Sequence, residues 1–317
     1  MRLVSDSPAM QSVAELIDRI AATGSNVLVL GESGTGKDAI ARLIHDRSPR
    51  RDRAFVKIDC AALPEELLES ELFGYEKGAF TGATESKPGR LEAAEGGTLV
   101  LDEIASLISS SQAKLLRVIE ERSFERLGGK HAIKIDVRII ALANVDMKEA
   151  VRGRAFRDDL YYRLAVLTIE LPKLIDRLED LPKLADEFAR QFAARSGRSS
   201  VRVSNEALDM LATYDFPGNV RELRNIIEHA VVTADADAIT PANLPDYLKS
   251  TARLMHSRKS KPSLADIEAV YIREVLEHTR GNKTRAAEIL GISRKNLYEK
   301  MRRYNIGKLG SASVALN

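Results

Sequence analysis

Residues 25–45 read SNVLVLGESGTGKDAIARLIH. An apolar run, Val27 to Leu30, leads into a glycine-rich loop, after which Ile40, Leu43 and Ile44 recur at helical spacing, so the stretch predicts a strand, a loop and a helix. In that setting Gly31, Glu32, Ser33, Gly34, Thr35, Gly36 and Lys37 have the spacing of a Walker A phosphate loop. The glycines let backbone N–H groups curl around phosphates, the helix N-terminus adds partial positive charge, and Lys37 can reach the β and γ phosphates. Asp38 follows, where the general pattern has the Ser or Thr that meets magnesium. A glycine-rich turn ahead of a helix would use the same letters, so the nucleotide reading needs a second element.

GGTLVLDEIASL, residues 96–107, supplies one. Its apolar run places Asp102 and Glu103 at the C-terminal end of a buried strand, where open α/β sheets bind ligands. Asp102 can hold a hydrated Mg2+ that bridges the phosphates of ATP, and Glu103 can orient and deprotonate the attacking water. Adjacent carboxylates suggest hydrolysis rather than transfer to another substrate. Two acids that merely end a strand are the competing explanation, weakened by Lys37 upstream. Arg157 and Arg163 in FRDDLYYRL could neutralise charge developing on the γ phosphate. On a continuous helix they would lie about 240° apart, at about 100° per residue, and could not serve one phosphate from one face. Surface salt bridging explains them as well. Arg221, just inside a helix announced by Pro217 and Gly218, suits a lid residue that folds over the nucleotide.

Further apolar runs follow at AFVKIDC, residues 54–60, and DVRIIALAN, residues 136–144, with the helical SQAKLLRVIEER, residues 111–122, between them. Strands alternating with helices imply an α/β fold with a mostly parallel sheet covered on both faces. No strand is expected after Pro172, and helices such as 180–195 and 219–232 suggest a helical lid. The expected divisions are an α/β nucleotide-binding part over 1–171, the lid over 172–248, a polar basic linker over 249–262, a compact helical module over 263–306 and a tail over 307–317.

At 317 residues, the chain has room for roughly two or three domains. Aromatic residues make up 5% and Trp is absent, so the core must be mainly Leu, Ile, Val and Ala. Cys60 stands alone, which excludes an internal disulfide and fits a reducing compartment. The apolar runs are too short to span a bilayer and the N-terminus lacks a signal-peptide pattern, so the chain reads as cytoplasmic, with no membrane partner. From Thr251 onward there are 14 Lys or Arg against 6 Asp or Glu, whereas the first 250 residues hold 34 against 40. A basic tail on an acidic body is the footprint of a separate nucleic-acid-binding module.

That module reads as three helices. Ser263 with Asp266 makes a capping signature, Ile267, Val270, Tyr271 and Val275 recur at helical spacing, and Gly281 ends the helix. Asn282 to Leu290 and Ser293 to Tyr304 flank LGIS as a helix-turn-helix, with Ala286, Ala287, Leu290, Ile292 and Leu297 as its core. Arg294, Lys295, Asn296 and Tyr298 then sit where base edges of double-stranded DNA are read, and Lys300, Arg302 and Arg303 where phosphates are met. A helical hairpin with solvated charge remains the plainer alternative.

One stretch resists these readings. GAFTGA, Gly78 to Ala83, is uncharged and sets one Phe between glycines in a chain that is 30% charged. A turn accounts for the glycines but not for Phe80 and Thr81.

Taken in order, GESGTGKD, ESELFGYEKGAFTGA, GGTLVLDE, QAKLLRVIEE, FERLGG, FRDDLYYRL and FPGNVREL resemble the AAA+ ATPase domain of bacterial enhancer-binding proteins, the activators of sigma-54 RNA polymerase. The C-terminal module is similar to the Fis-type DNA-binding domain that ends many of them. The resemblance implies a ring, a hexamer assembled from dimers, with ATP and Mg2+ between neighbouring subunits. It implies finger arginines at Arg157 and Arg163 that act on the adjacent subunit's nucleotide, and a sensor arginine at Arg221. It also implies that Gly78, Ala79, Phe80, Thr81, Gly82 and Ala83 grip sigma-54 in the holoenzyme. Asp59 stands where the family usually has the Asn that holds the catalytic Glu, and a carboxylate there would repel Glu103 unless one is protonated or a cation intervenes. Ala143 replaces the usual sensor Thr, though Asn144 remains, and Ile175 stands where Arg is common. The resemblance thus implies an ATP-driven activator bound to upstream enhancer DNA. A DNA-bound regulator with a degenerate ATPase is the alternative that Asp59 and Ala143 motivate, and a P-loop kinase would leave Glu103, GAFTGA and the DNA module unexplained. No input domain precedes the phosphate loop here, and either a protein without one or a fragment would fit.

Overall fold

In a computed structural model, residues 4, 6–198, 201–234, 237–248, 264–279, 281–304 and 306 are described. They fall into two compact units, Met1–Leu208 with Asp215–Asn243, and Asp209–Tyr214 with Leu244–Asn317.

The first unit is built on five parallel strands: β1 (Val27–Leu30), β2 (Phe55–Asp59), β3 (Thr98–Asp102), β4 (Arg138–Ala143) and β5 (Leu167–Glu170). Their order across the sheet is β2-β3-β4-β1-β5. Alternation along each strand sends side chains to opposite faces, and both faces are covered. On one, Val27, Val29, Val100, Ile140, Leu142 and Ile169 pack against α1 (Pro8–Ala21) and α2 (Lys37–Asp46). On the other, Leu28, Ile58, Leu99, Leu101, Ile139 and Ala141 meet α3 (Glu65–Phe73), α4 (Ser109–Glu121) and α5 (Asp158–Leu164). Burial on both sides explains why these strands read as unbroken apolar runs. Helix α1 is set by equally local signals: Pro8 occupies its first turn, Ser7 caps it by accepting from Met10 N at 3.3 Å, and Met10, Val13, Ile17 and Ile20 form its buried stripe.

Beyond β5 come α6 (Leu181–Arg195) and α7 (Asn219–Thr233), the helices expected of a lid. The expectation that strands end at Pro172 needs correction. Arg202–Val203 and Ala238–Ile239 form a short parallel pair, in which Val203 and Ile239 are buried. Two residues per strand are too few to show alternation in the sequence.

The second unit contains α8 (Leu264–His278), α9 (Lys283–Ile289) and α10 (Arg294–Arg303). Asn282 caps α9 by accepting from Thr284 N and Arg285 N, and Ser293 caps α10 by accepting from Asn296 N. Ala286, Ala287 and Leu297 are buried with Ile272, Val275 and Leu276, while Leu290 and Ile292 pack at the margin. Tyr271 is 50% exposed, so it faces away from this core. The Ser263 cap, the side chains of Asp266, Ile267 and Val270, the linker from 249 to 262 and the tail from 307 lie outside the described residues.

Candidate functional site

The phosphate loop leaves β1 at the C-terminal edge of the sheet, with Gly31 N donating to Ala143 O at 3.2 Å. Gly34 and Gly36 take φ of +80° and +105°, a region closed to most side chains. A methyl group on Gly36 would meet no atom within 4 Å, so the backbone there borders open space. Lys37 begins α2 and is buried, and its Nζ donates to Gly31 O at 2.7 Å and Glu32 O at 3.0 Å. Burial draws the ammonium below its ordinary pKa, opposed by the charge of Asp102. Thr35 is also buried, with Oγ1 donating to Glu32 O at 2.8 Å.

The start of α7 lies directly on this loop. Arg221 Nη1 donates to Ser33 Oγ at 2.7 Å, its backbone N to Gly34 O at 3.2 Å, and Asn219 Nδ2 to Ser33 O at 3.1 Å. Glu32 pairs with Lys173 at 2.5 Å and accepts from Asn219 at 3.3 Å. Hydrogen bonding to Lys173 holds its carboxyl below the usual range. Asn144, exposed at the end of β4, lines the cleft with Glu32, Ser33, Lys173 and Phe216.

Asp102 ends β3, two strands from the phosphate loop, and Oδ1 accepts from Glu103 N at 3.0 Å. Glu103 has a left-handed φ of 51°, uncommon outside glycine, so the chain turns sharply where the second carboxylate emerges. Asp59 is opposite Asp102 in the β2–β3 register. Its Oδ1 accepts from Ala61 N at 2.9 Å and Ala62 N at 3.2 Å, which gives the carboxylate local donors. Burial, followed by the charges of Asp59, Asp102 and Glu103, pushes the Cys60 thiol up to about 12. Sequence reasoning does not single out Lys57, yet its Nζ is 2.7 Å from Asp102 Oδ2 and also pairs with Asp38. The signal available was its position two residues before Asp59 on one strand, which puts both on the same face.

Arg157 and Arg163 do not share a continuous helix. Arg157 is the extended residue that precedes α5, with φ −73° and ψ 136°, so the angular argument against joint action does not apply. Arg157 pairs with Asp159 at 2.7 Å and Arg163 with Glu120 at 2.9 Å, both on the surface.

GAFTGA tips a stem in which Gly74–Tyr75 pairs with Lys87–Pro88. Gly78 and Gly82 take φ of +83° and +105°, and Gly78 N donates to Ala83 O at 2.8 Å, closing a tight turn. Phe80 is 47% exposed, with its ring edge-on to Tyr75 at 5.0 Å between centroids; Thr81 and Gly82 are exposed as well. Ala83 is buried and Ala79 half-buried, so the presented surface is narrower than six residues and these two alanines anchor it. Arg126 braces the stem, at 3.0 Å from Glu76 and 2.7 Å from Glu92. No spacing in the sequence joins these three residues.

On α10, Arg294, Lys295, Asn296, Arg302 and Arg303 are exposed, and Tyr298 lies under the Lys283 ammonium at 5.2 Å. Lys300 departs from expectation: it is half-buried and pairs with Glu268 at 2.6 Å, which ties α10 to α8 instead of leaving the charge free for a phosphate.

Residues 3–170 match the Sigma-54 interaction domain, 175–261 the AAA+ ATPase lid domain, and 263–304 the bacterial regulatory protein, Fis family. The chain is 47% identical over 302 residues to the transcriptional regulatory protein ZraR of Salmonella typhimurium, covering 95% of this chain and 68% of that one. It is 44% identical over 312 residues to the regulatory protein AtoC of Escherichia coli, covering 96% and 68%. NtrX from Brucella abortus, solved in complex with ADP, matches with a TM-score of 0.74 at 33% identity, over 96% of this chain and 70% of that one. The parallel sheet with its phosphate loop, the helices that follow and the helix-turn-helix agree with those matches, and the chain belongs to the sigma-54-dependent transcription activators, with an AAA+ ATPase domain and a Fis-type DNA-binding domain.

Proposed function

We propose that this protein hydrolyses ATP in a ring and uses the GAFTGA tip to remodel the sigma-54 holoenzyme at a promoter, while its helix-turn-helix holds it to upstream DNA. In this reading residues 1–171 and 172–248 are the body and lid of one ATPase, 249–262 tether it, and 263–306 bind DNA.

The phosphate loop from Gly31 to Lys37 would cradle the phosphates, with Asp38 at its end. Among the described residues no group of three His, Cys, Asp or Glu stands ready to hold a metal. Mg2+ is commonly held by one or two carboxylates, water and the nucleotide's own phosphates. Asp102 fits that pattern and would hold the ion through water, where the ion would neutralise phosphate charge. Glu103 takes the proton of the attacking water, Asp59 and Asn144 orient groups around it, and Arg221 closes the lid over the phosphates. Arg157 and Arg163 reach a neighbour's nucleotide, which makes the interface heterologous and the assembly a ring. A hexamer built from dimers is the expected closure. Arg294, Lys295, Asn296 and Tyr298 read bases, while Arg302 and Arg303 contact phosphates.

The observation that carries the reading is the exposed apolar tip, Phe80 to Gly82, held on a braced stem instead of packed into the core. Thr81→Ala tests it. The variant is expected to form rings and hydrolyse ATP, yet fail to retain sigma-54 with a transition-state analogue and fail to open promoter DNA. A Thr81→Ala protein that loses ATPase while still retaining sigma-54 would make the loop structural.

A further inference from the structure

Two carboxylates beside the phosphate loop already share a cation. Lys57 and Asp59 lie two apart on β2, so their side chains leave the same face of the strand. Asp59 is level with Asp102 on the neighbouring strand, and the Lys57 side chain spans that gap to place Nζ 2.7 Å from Asp102 Oδ2. The same ammonium pairs with Asp38 in the first turn of α2. Lys37 does not serve this role here, because its Nζ donates to the carbonyls of Gly31 and Glu32. Asp102 is well shielded, with its side chain 16% exposed, so leaving it unpaired would be costly.

We propose that Lys57 is a tethered counter-ion for Asp102 that yields to Mg2+ and thereby sets how strongly nucleotide binding depends on the metal. This rests on the nucleotide-site reading above. With no metal, Lys57 keeps Asp102 from repelling incoming phosphates. When the hydrated ion arrives it needs the same carboxylate, so Lys57 must release Asp102 and competes with it. Both effects raise the metal dependence: removing the ammonium weakens metal-free binding and tightens metal binding. Lys57 is therefore a positioning residue that acts through Asp102.

The test uses the full chain and ADP, which excludes turnover. Calorimetry gives the ADP affinity in saturating Mg2+ and in EDTA, and Mn2+ titration of the ADP complex by electron paramagnetic resonance gives metal affinity. For Lys57→Met the ratio of EDTA to Mg2+ dissociation constants is expected to rise about five-fold and half-saturating Mn2+ to fall about as much, the scale of one partly exposed ion pair. Lys57→Arg, which keeps the charge, is expected to stay near wild type. A ratio and a Mn2+ affinity that are unchanged in Lys57→Met, whether or not overall ADP affinity moves, overturn the proposal. Failure of the wild-type protein to bind ADP under either condition would instead overturn the nucleotide-site reading.

Discussion

Gly34→Ala should unseat the lid from the phosphate loop. Gly34 has φ +80°, and a Cβ there would lie 2.2 Å from Gly218 O and 3.1 Å from Arg221 Cβ. Ordinary van der Waals contact begins near 3.4 Å, so loop and helix must separate by more than 1 Å. That separation breaks the 3.2 Å bond from Arg221 N to Gly34 O and strains the 2.7 Å bond from Arg221 Nη1 to Ser33. Left-handed backbone on alanine costs about 1 kcal/mol, the lost hydrogen bond about 1 kcal/mol, and overpacking about 1–3 kcal/mol. Since the costs overlap, the net loss should be about 2–4 kcal/mol, or roughly 5–12 °C in Tm for a unit of this size. ADP affinity should fall at least about ten-fold, because the loop and Arg221 would no longer close together. Gly36→Ala is the internal control. It is strained at φ +105° but meets no atom within 4 Å, so it should keep the lid docked and melt closer to wild type. Calorimetric melting and ADP titration of both variants check this. If Gly34→Ala melts within about 1 °C of wild type and binds ADP normally, the contact between loop and lid does not hold the site together.

Two further outcomes follow from groups away from the loop. Arg138 is buried and donates to Ser25 O, Ala21 O and Ile20 O at 3.1, 3.2 and 2.9 Å, which ties the end of α1 to β4; Arg138→Met should cost about 2–4 kcal/mol in a denaturant melt. A loss below about 0.5 kcal/mol would mean those carbonyls find other donors. At the stem, Arg126 holds Glu92 below the usual carboxylate range, as Ser86 and then Arg126 do for Glu76. With folded pKa values below the unfolded ones, this stabilisation is full above about pH 4.3 and is lost as pH falls through the depressed values. The Tm gap between wild type and Arg126→Met should therefore be widest near neutrality and shrink in acid. A gap independent of pH would remove Arg126 as the cause.

The features that sequence exposes are those written in contiguous letters. β1, the phosphate loop and α2 follow from one stretch because strand, glycine turn and helix are each local choices, and the same holds for the two short helices that follow Asn282 and Ser293. What stays hidden depends on residues that are distant in the chain. Lys57 meets Asp102 only because β2 lies beside β3, and Arg126 meets Glu76 and Glu92 only because the hairpin that pairs Ser123–Phe124 with Ile133–Lys134 brings it to the stem, where Leu127 bridges Tyr75. Arg157 and Arg163 straddle a helix boundary, where one residue of difference changes the geometry from helical to extended and helical spacing no longer relates them. Lys300 escapes sequence reasoning because its charge counts the same whether it faces solvent or Glu268.

The most direct test of the central claim is promoter melting in a purified system: permanganate reactivity at the start site of a sigma-54 promoter with holoenzyme, enhancer DNA and this protein. Reactive thymines are predicted with ATP and the wild-type chain, and none with ADP, with Glu103→Gln in ATP, or with Thr81→Ala in ATP. Melting that is equal in ADP, or that persists in Glu103→Gln, would contradict the account, because promoter opening would then owe nothing to hydrolysis at this site.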